Sequence, residues 1–145
     1  SEMSRAIEEA FGAVETDEMV NVVDTNVAIA VLNGDDVAVA RWYSAPEVLL
    51  PPPALAELLY GAYRSARRSE NTQRVWSLVA SMGLCSCDHN VCERVAEIKL
   101  ALAEAGRPIP TNDLWIAAYC LSAEATLASR DAHFDVVPGL AREAW

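Results

Sequence analysis

The sequence predicts an α/β fold: a short, mostly parallel sheet of four to five strands between two layers of helices. Three observations carry this. Short β-branched or aliphatic runs alternate with longer stretches whose apolar residues recur at helical spacing. Stop signals, Asn33-Gly34, Gly83 and Gly106, fall between them. A chain of 145 residues fits one domain, able to bury about two-thirds of its unfolded surface without disulfides or structural metal. Strands separated by helices pair in parallel, and a parallel sheet needs cover on both faces.

Val20-Asn-Val-Val23 is the first strand, ending at Asp24. Thr25 to Leu32 reads as a helix stopped by Asn33-Gly34, and Asp35 or Asp36 caps a second helix through Tyr43. Val48-Leu-Leu50 is the second strand, closed by Pro51-Pro-Pro53, since proline cannot continue a ladder but is tolerated where a helix starts. The helix that follows carries Leu55, Leu58, Leu59, Ala62 and Tyr63 on one face and ends at Arg64, Arg67 and Arg68. Residues 71–82 form another helix, and Leu84 to Cys87 the third strand. Val91, Val95, Ile98 and Leu102 mark a long helix that Gly106 terminates. After the rigid Arg107-Pro-Ile-Pro110 connector, Thr111 is expected to cap a helix running to Ser122. Ala125 to Ala128 is the fourth strand, and a last extended piece is expected near Asp135 to Val137.

Composition narrows the function. With 52% hydrophobic and 22% charged residues the chain is not a disordered one. No apolar run reaches the roughly 18–20 residues of a membrane span, so no membrane partner is expected. The N-terminus is acidic and lacks the apolar core of a signal peptide, which makes a reducing cytoplasm the expected location. Cys85, Cys87, Cys92 and Cys120 then read as thiols on a buried strand and helix; a zinc set from Cys85, Cys87, His89 and Cys92 is the competing reading, weakened by the absence of a C-x2-C spacing. The formal net charge of −10 looks wrong for a nucleic-acid binder. It is unevenly spread: residues 1–18 hold six acids and one base, half of the excess. That segment reads as an N-terminal extension ahead of a domain over 19–145. Ala6, Ile7, Ala10, Phe11 and Val14 fit a short amphipathic helix, and a partly ordered tail fits equally.

Ligands of such folds gather at the carboxyl ends of the strands. Asp24 ends the first strand and Asp131 lies just past the fourth. Asp113 sits in the first turn of a helix, and Glu57 one turn into another, within Pro-Ala-Leu-Ala-Glu-Leu-Leu. Each acid alone has a structural explanation, as a cap or a partner of a helix dipole. Together, facing one crevice, they would repel and raise one another's pKa, a cost that a bound divalent cation removes. Oxygen donors without histidine or thiol select Mg²⁺ or Mn²⁺. Other acid-based phosphoryl-transfer layouts fail on named residues. A haloacid-dehalogenase-type site needs an aspartate where Asn26 stands, and a receiver domain needs a strand-end lysine, whereas the one lysine, Lys99, is inside a helix. No Gly-rich phosphate loop follows any strand.

These residues resemble the PIN-domain nucleases, particularly the VapC-type toxins of toxin–antitoxin pairs. The resembling pieces are Val22-Val-Asp-Thr-Asn26, Pro53-Ala-Leu-Ala-Glu57-Leu, Ile109-Pro-Thr-Asn-Asp113-Leu-Trp-Ile-Ala-Ala118 and Leu127-Ala-Ser-Arg-Asp131-Ala-His-Phe134. They cover residues 19–145, in order, with the four acids 33, 56 and 18 residues apart. The resemblance implies a PIN-like three-layer α/β/α fold and an endoribonuclease in which Asp24, Glu57, Asp113 and Asp131 are both catalytic residues and ligands of Mg²⁺ or Mn²⁺. Asp24 and Asp113 would hold the first ion, Glu57 would bind it too or orient the attacking water, and Asp131 would complete the site or take a second ion with substrate. Thr25 and Asn26 would support the carboxylates by hydrogen bonds. Asp135 is an outer acid or an exposed loop residue; His133 approaches phosphate or is a surface histidine. Arg64, Arg67 and Arg68, with Arg74 nearby, contact RNA phosphates or form a solvated face. The resemblance also implies an antitoxin protein and a homodimer. The helices near 55–63 and 71–82 either make an antitoxin groove or pack the core, and residues 1–18 either fold over a domain as an acidic occluder or do not. A non-catalytic PIN-like module that binds RNA or protein is the alternative, and a small acidic phosphatase or DNA nuclease a third. Without the four acids the domain holds 11 acids against 10 bases, so its charge does not exclude RNA.

Overall fold

The computed structural model describes residues 20–145, and Met3 ahead of them. The expected helix at residues 6–14 lies outside the described residues. The chain runs β1 (Val20–Val23), α1 (Thr25–Leu32), α2 (Asp36–Ser44), β2 (Glu47–Leu50), α3 (Pro52–Arg64), α4 (Arg68–Ala80), β3 (Gly83–Leu84), α5 (His89–Glu104), α6 (Thr111–Ser122), β4 (Thr126–Ala128), a 3-10 turn (Ala132–Val136) and β5 (Arg142–Glu143). The five strands form one sheet in the order β3-β2-β1-β4-β5, and every neighbouring pair is parallel.

Strand alternation divides the core in two. Val22 and Leu127 face α5 and α6, packing with Ile98, Leu102, Ile116 and Phe134. Val23, Leu50 and Ala128 face the layer of α1 to α4, packing with Val27, Trp42, Leu58 and Val75. Both faces of the sheet are therefore dry, which is why its strands read as continuous apolar runs rather than alternating ones. Helix ends follow the local chemistry. Asp35 accepts from the Ala38 N–H at 3.0 Å to start α2, and Asp88 accepts from the Val91 N–H at 3.2 Å to start α5. Gly34, at φ +75°, supplies the left-handed residue that lets the chain leave α1.

Four expectations are corrected. β3 is two residues long and begins at Gly83, although the Cys85 N–H still donates to the Leu50 carbonyl at 3.0 Å before the chain turns into α5. α4 begins at Arg68, three residues before the expected start. Thr111 is the first helical residue of α6; the cap position is Pro110 and makes no side-chain cap bond. The extended piece expected near 135–137 is a 3-10 turn, because the Asp131 carboxylate captures the His133 N–H at 2.9 Å and curls the chain, while the fifth strand lies later at Arg142–Glu143. The cysteines also divide. Cys120 is buried and its thiol donates to the Ala125 carbonyl at 3.2 Å, and Cys85 is half-buried; burial pushes both thiols up to about 12. Cys87 and Cys92 are exposed rather than buried. No helix among the described residues is long and apolar enough to cross a membrane.

Candidate active site

All strands being parallel, their carboxyl ends share one edge, and the four acids reach it from four different elements. Asp24 follows β1 directly and caps α1. It is 7% exposed, one of three buried polar residues among those described, with Asn21 and Ser129. Its Oδ1 accepts from the Thr25 N–H at 2.8 Å and its Oδ2 from the Ser129 hydroxyl at 2.8 Å. The β1–β4 register explains the second bond: Val23 stands opposite Ala128, so the next residues along, Asp24 and Ser129, emerge side by side. The Ser129 oxygen in turn accepts from the Asp131 N–H at 3.1 Å, which ties the loop after β4 to the acid after β1.

Asp113 lies in the first turn of α6 and is half-buried. Glu57 is exposed on the second turn of α3, and the Asn112 amide donates to its Oε1. Asn112 and Asp113 are adjacent, so the start of α6 touches Glu57 and presents Asp113 together. Asp131 caps the 3-10 turn, and the His133 Nδ1 lies 2.6 Å from its Oδ1.

The four acids feel one another. Burial first, and then the charges of Asp24, Asp131 and Glu57, together push the Asp113 carboxyl up to about 6, against a smaller opposing effect of His133. Asp24 is also pushed up, first by burial; the bonds from Ser129 and Thr25 hold it down in part, and Glu57 and Asp131 add to the rise. Among the described residues no three Asp, Glu, His or Cys side chains already stand as a closed ligand set, either here or around Cys85, Cys87, His89 and Cys92. Glu57 is turned to Asn112 and Asp131 to His133, as expected of like charges placed on neighbouring donors. The donor chemistry fits a hard divalent cation: carboxylate oxygens, one of them buried, in mutual repulsion that such an ion neutralises.

Of the supporting residues, Thr25 bonds a site carboxylate and Asn26 does not. Thr25 contributes its backbone N–H; its hydroxyl is buried without a hydrogen-bond partner. Asn26 bonds no carboxylate: its Oδ1 accepts from the Arg130 N–H at 3.3 Å and so positions the loop that carries Asp131. Asp135 is drawn to Arg142, which grips it through Nε at 2.7 Å and a second nitrogen at 3.0 Å while donating to the Ser129 carbonyl at 3.0 Å. Arg142 is therefore a strut from the 3-10 turn to the β4 loop, and its grip holds the Asp135 carboxyl below the ordinary range. Sequence reasoning gave no role to Ser129, Asn112 or Arg142.

The arginines lie at the carboxyl end of α3, in the turn that follows and along α4. The Arg64 guanidinium lies 5.3 Å from the Tyr60 ring centre, and that of Arg68 lies 4.4 Å from Tyr63. Arg67 makes an exposed 3.7 Å ion pair with Glu70. Arg74 is a structural residue, donating to the Leu32 carbonyl at the end of α1 and to Asn71.

Comparison with known proteins points to one family. The PIN domain family model matches residues 22–140. Ribonuclease VapC5 of Mycobacterium tuberculosis is 32% identical over 136 residues, covering 88% of this chain and 95% of the relative. The crystal structure of VapBC-5 from the same organism, a member of the VapBC family of toxin–antitoxin systems, superposes with a TM-score of 0.68 at 32% identity, covering 87% of this chain and 97% of that one. The structure of VapBC2 from Rickettsia felis bound to promoter DNA gives 0.83 at 23% identity over 88% and 99% of the two chains, a likeness of fold.

Proposed function

The chain belongs to the PIN-domain family, and from that premise we propose that it is a metal-dependent endoribonuclease, the toxin of a toxin–antitoxin pair, acting in the cytoplasm. The observation that carries the reading is the convergence of Asp24, Asp113, Glu57 and Asp131 at one sheet edge, where burial and the neighbouring carboxylates raise Asp24 and push Asp113 up to about 6. Repulsion of this kind inside a fold is costly and has a use where a cation is bound. The names of the relatives, a ribonuclease and a toxin–antitoxin system, support the substrate class and the partner. The domain over 19–145 carries this activity, with residues 1–18 as an extension and a homodimer as the working assembly.

Asp24 and Asp113 are the residues that would hold Mg²⁺ or Mn²⁺. When bound, such an ion supplies Lewis-acid charge at the scissile phosphodiester and makes water a competent nucleophile near neutral pH. Asp24 is fixed by Thr25 and Ser129, and each of its oxygens keeps further lone-pair capacity. Asp113 is presented by the rigid first turn of α6. Glu57, exposed and held through Asn112, would bind the ion or orient the attacking water. Asp131 is brought near Asp24 by the Ser129 bridge and completes the site once substrate arrives. Arg64, Arg67 and Arg68 attract the RNA backbone.

The test is cleavage of total RNA with Mn²⁺ or Mg²⁺ against EDTA, with the ends mapped and DNA and a phosphomonoester as parallel substrates. Metal-dependent cleavage of RNA, lost in Asp24→Ala and Asp113→Ala at saturating metal, is the expected result. RNA binding without hydrolysis under any metal overturns the enzymatic reading in favour of a binding module.

A further inference from the structure

Cys87 and Cys92 are the exposed thiols among the described residues, and neither the four acids nor the core accounts for them. Their positions are set by the way α5 begins. Asp88 is its cap residue, and the Asp88 carboxylate accepts from the Val91 N–H at 3.2 Å. Cys87 therefore stands one residue before the cap, and Cys92 is the fourth residue of the helix. In a helix capped in this way those two positions face each other, and an apolar pair there packs as a staple across the first turn. A thiol is small and weakly polar, and it can fill such a place.

The local contacts agree with that placement. The Cys87 Sγ lies 3.9 Å from the Asp88 carbonyl oxygen, and the Cys92 N–H donates to the same oxygen at 3.4 Å. The two thiols also act on each other. Desolvation first, then the Cys87 thiol and the Asp88 carboxylate, push the Cys92 thiol up, so Cys92 keeps its proton longer. Cys85 and Cys120 are drawn away from this pair, Cys85 against the core and Cys120 into it. Tyr119 of α6 lies beside the Cys87 thiol. It stands six residues past Asp113, about 9 Å along the helix, so the pair is separate from the four acids.

We propose that Cys87 and Cys92 are a peroxide-oxidisable dithiol that closes reversibly to a disulfide across the first turn of α5. The proposal is independent of the nuclease reading. The step balances. The Cys87 sulfur takes one oxygen of hydrogen peroxide as the O–O bond breaks, giving a sulfenic acid and one water. The Cys92 sulfur then attacks the Cys87 sulfur; the S–S bond forms, the S–O bond breaks, and a second water leaves with the Cys92 proton. The two sulfurs lose two electrons in all, and the peroxide gains them. Exposed disulfides are of the labile kind that a dithiol reduces again.

The test treats the reduced full chain, in EDTA, with hydrogen peroxide and then blocks the remaining thiols with N-ethylmaleimide in denaturant. Cleavage after arginine and before aspartate separates residues 75–87, which hold Cys85 and Cys87, from residues 88–94, which hold Cys92. Mass spectrometry is expected to find these peptides joined from Cys87 to Cys92, with the maleimide on Cys85. Dithiothreitol should release them, and at fixed peroxide the joined fraction should not fall when the protein is diluted. A bond to Cys85, a disulfide found only between isotopically distinct copies, or thiols left free or carried to sulfinic acid would overturn the pair. In Cys92→Ser, dimedone labelling of Cys87 is expected to rise about tenfold, because nothing resolves its sulfenic acid; unchanged labelling removes Cys92 as the resolving thiol.

Discussion

Replacing Ser129 by alanine removes the one side chain that touches both acids of the β1–β4 edge. Its hydroxyl, fully buried, donates to Asp24 Oδ2 at 2.8 Å and accepts from the Asp131 N–H at 3.1 Å. A hydrogen bond to a buried carboxylate contributes about 1.5–3 kcal/mol and a neutral one about 1 kcal/mol, and alanine leaves both partners without replacement. The expected cost of Ser129→Ala is therefore about 2.5–4 kcal/mol in EDTA at pH 7.5. The cost depends on pH with a definite sign. Burial already lifts the Asp24 carboxyl above its ordinary value of 3.8, and the Ser129 bond works against that rise. Losing the bond lifts the folded pKa further, so the charged form costs more wherever Asp24 is ionised, and the penalty is full above the folded pKa. It shrinks as pH falls and is smallest near 4, where the carboxyl takes up its proton in both folded and unfolded chains. Urea unfolding of wild type, Ser129→Ala, Asp24→Asn and the double variant, in EDTA across that range, measures both size and slope. The two changes should be strongly non-additive, because they remove one shared contact. A penalty under about 0.5 kcal/mol, or one that is flat with pH, refutes the bridge as described.

Asp113→Asn should stabilise the metal-free protein at pH 7.5 by about 1 kcal/mol, a figure reduced for the solvent around a half-buried group. The gain should vanish toward pH 4, since the ionised form becomes costly only as pH rises from the ordinary carboxylate value through about 6; a loss of stability at pH 7.5 refutes the repulsion. Asp135→Asn should weaken the Arg142 strut while leaving Mn²⁺ affinity by calorimetry unchanged; weaker Mn²⁺ binding would make Asp135 an outer acid of the site. Arg67→Glu with Arg68→Glu should lower the slope of log affinity against log salt for single-stranded RNA by at least about 1.4, from two lost phosphate contacts; an unchanged slope excludes these arginines as the RNA contact.

The fold and the four acids were legible because their signals are local or repeat along the chain. β1, β2 and β4 stand out because both faces of a parallel sheet are buried, leaving mostly apolar runs such as Val20–Val23, where Asn21 is the one polar residue. β5 did not stand out, because Arg142-Glu143 joins the sheet through its backbone and carries none of the residues that mark strands. The 3-10 turn was hidden by Asp135-Val-Val137, where β-branched residues suggested extension and a single capping bond from Asp131 prevailed. Ser129 and Asn112 were missed for a different reason. Their partners, Asp24 and Glu57, lie 105 and 55 residues away, and only strand register and helix placement bring them together. Asn26 illustrates the same limit from the other side: its position beside Asp24 suggested a carboxylate contact, and its amide oxygen instead holds the Arg130 N–H.

β1 and β4 occupy the interior of the sheet, each flanked by a strand on either side. Asp24 and the Ser129–Asp131 loop grow directly from that pair, without an intervening flexible segment. Interior strands are the last part of a domain to open. An activity built on them has no partly melted, inactive intermediate to retreat into: on heating, loss of catalysis should coincide with global unfolding. Restraint of such a site then has to be imposed from outside its geometry, by withholding the ion or by blocking the approach.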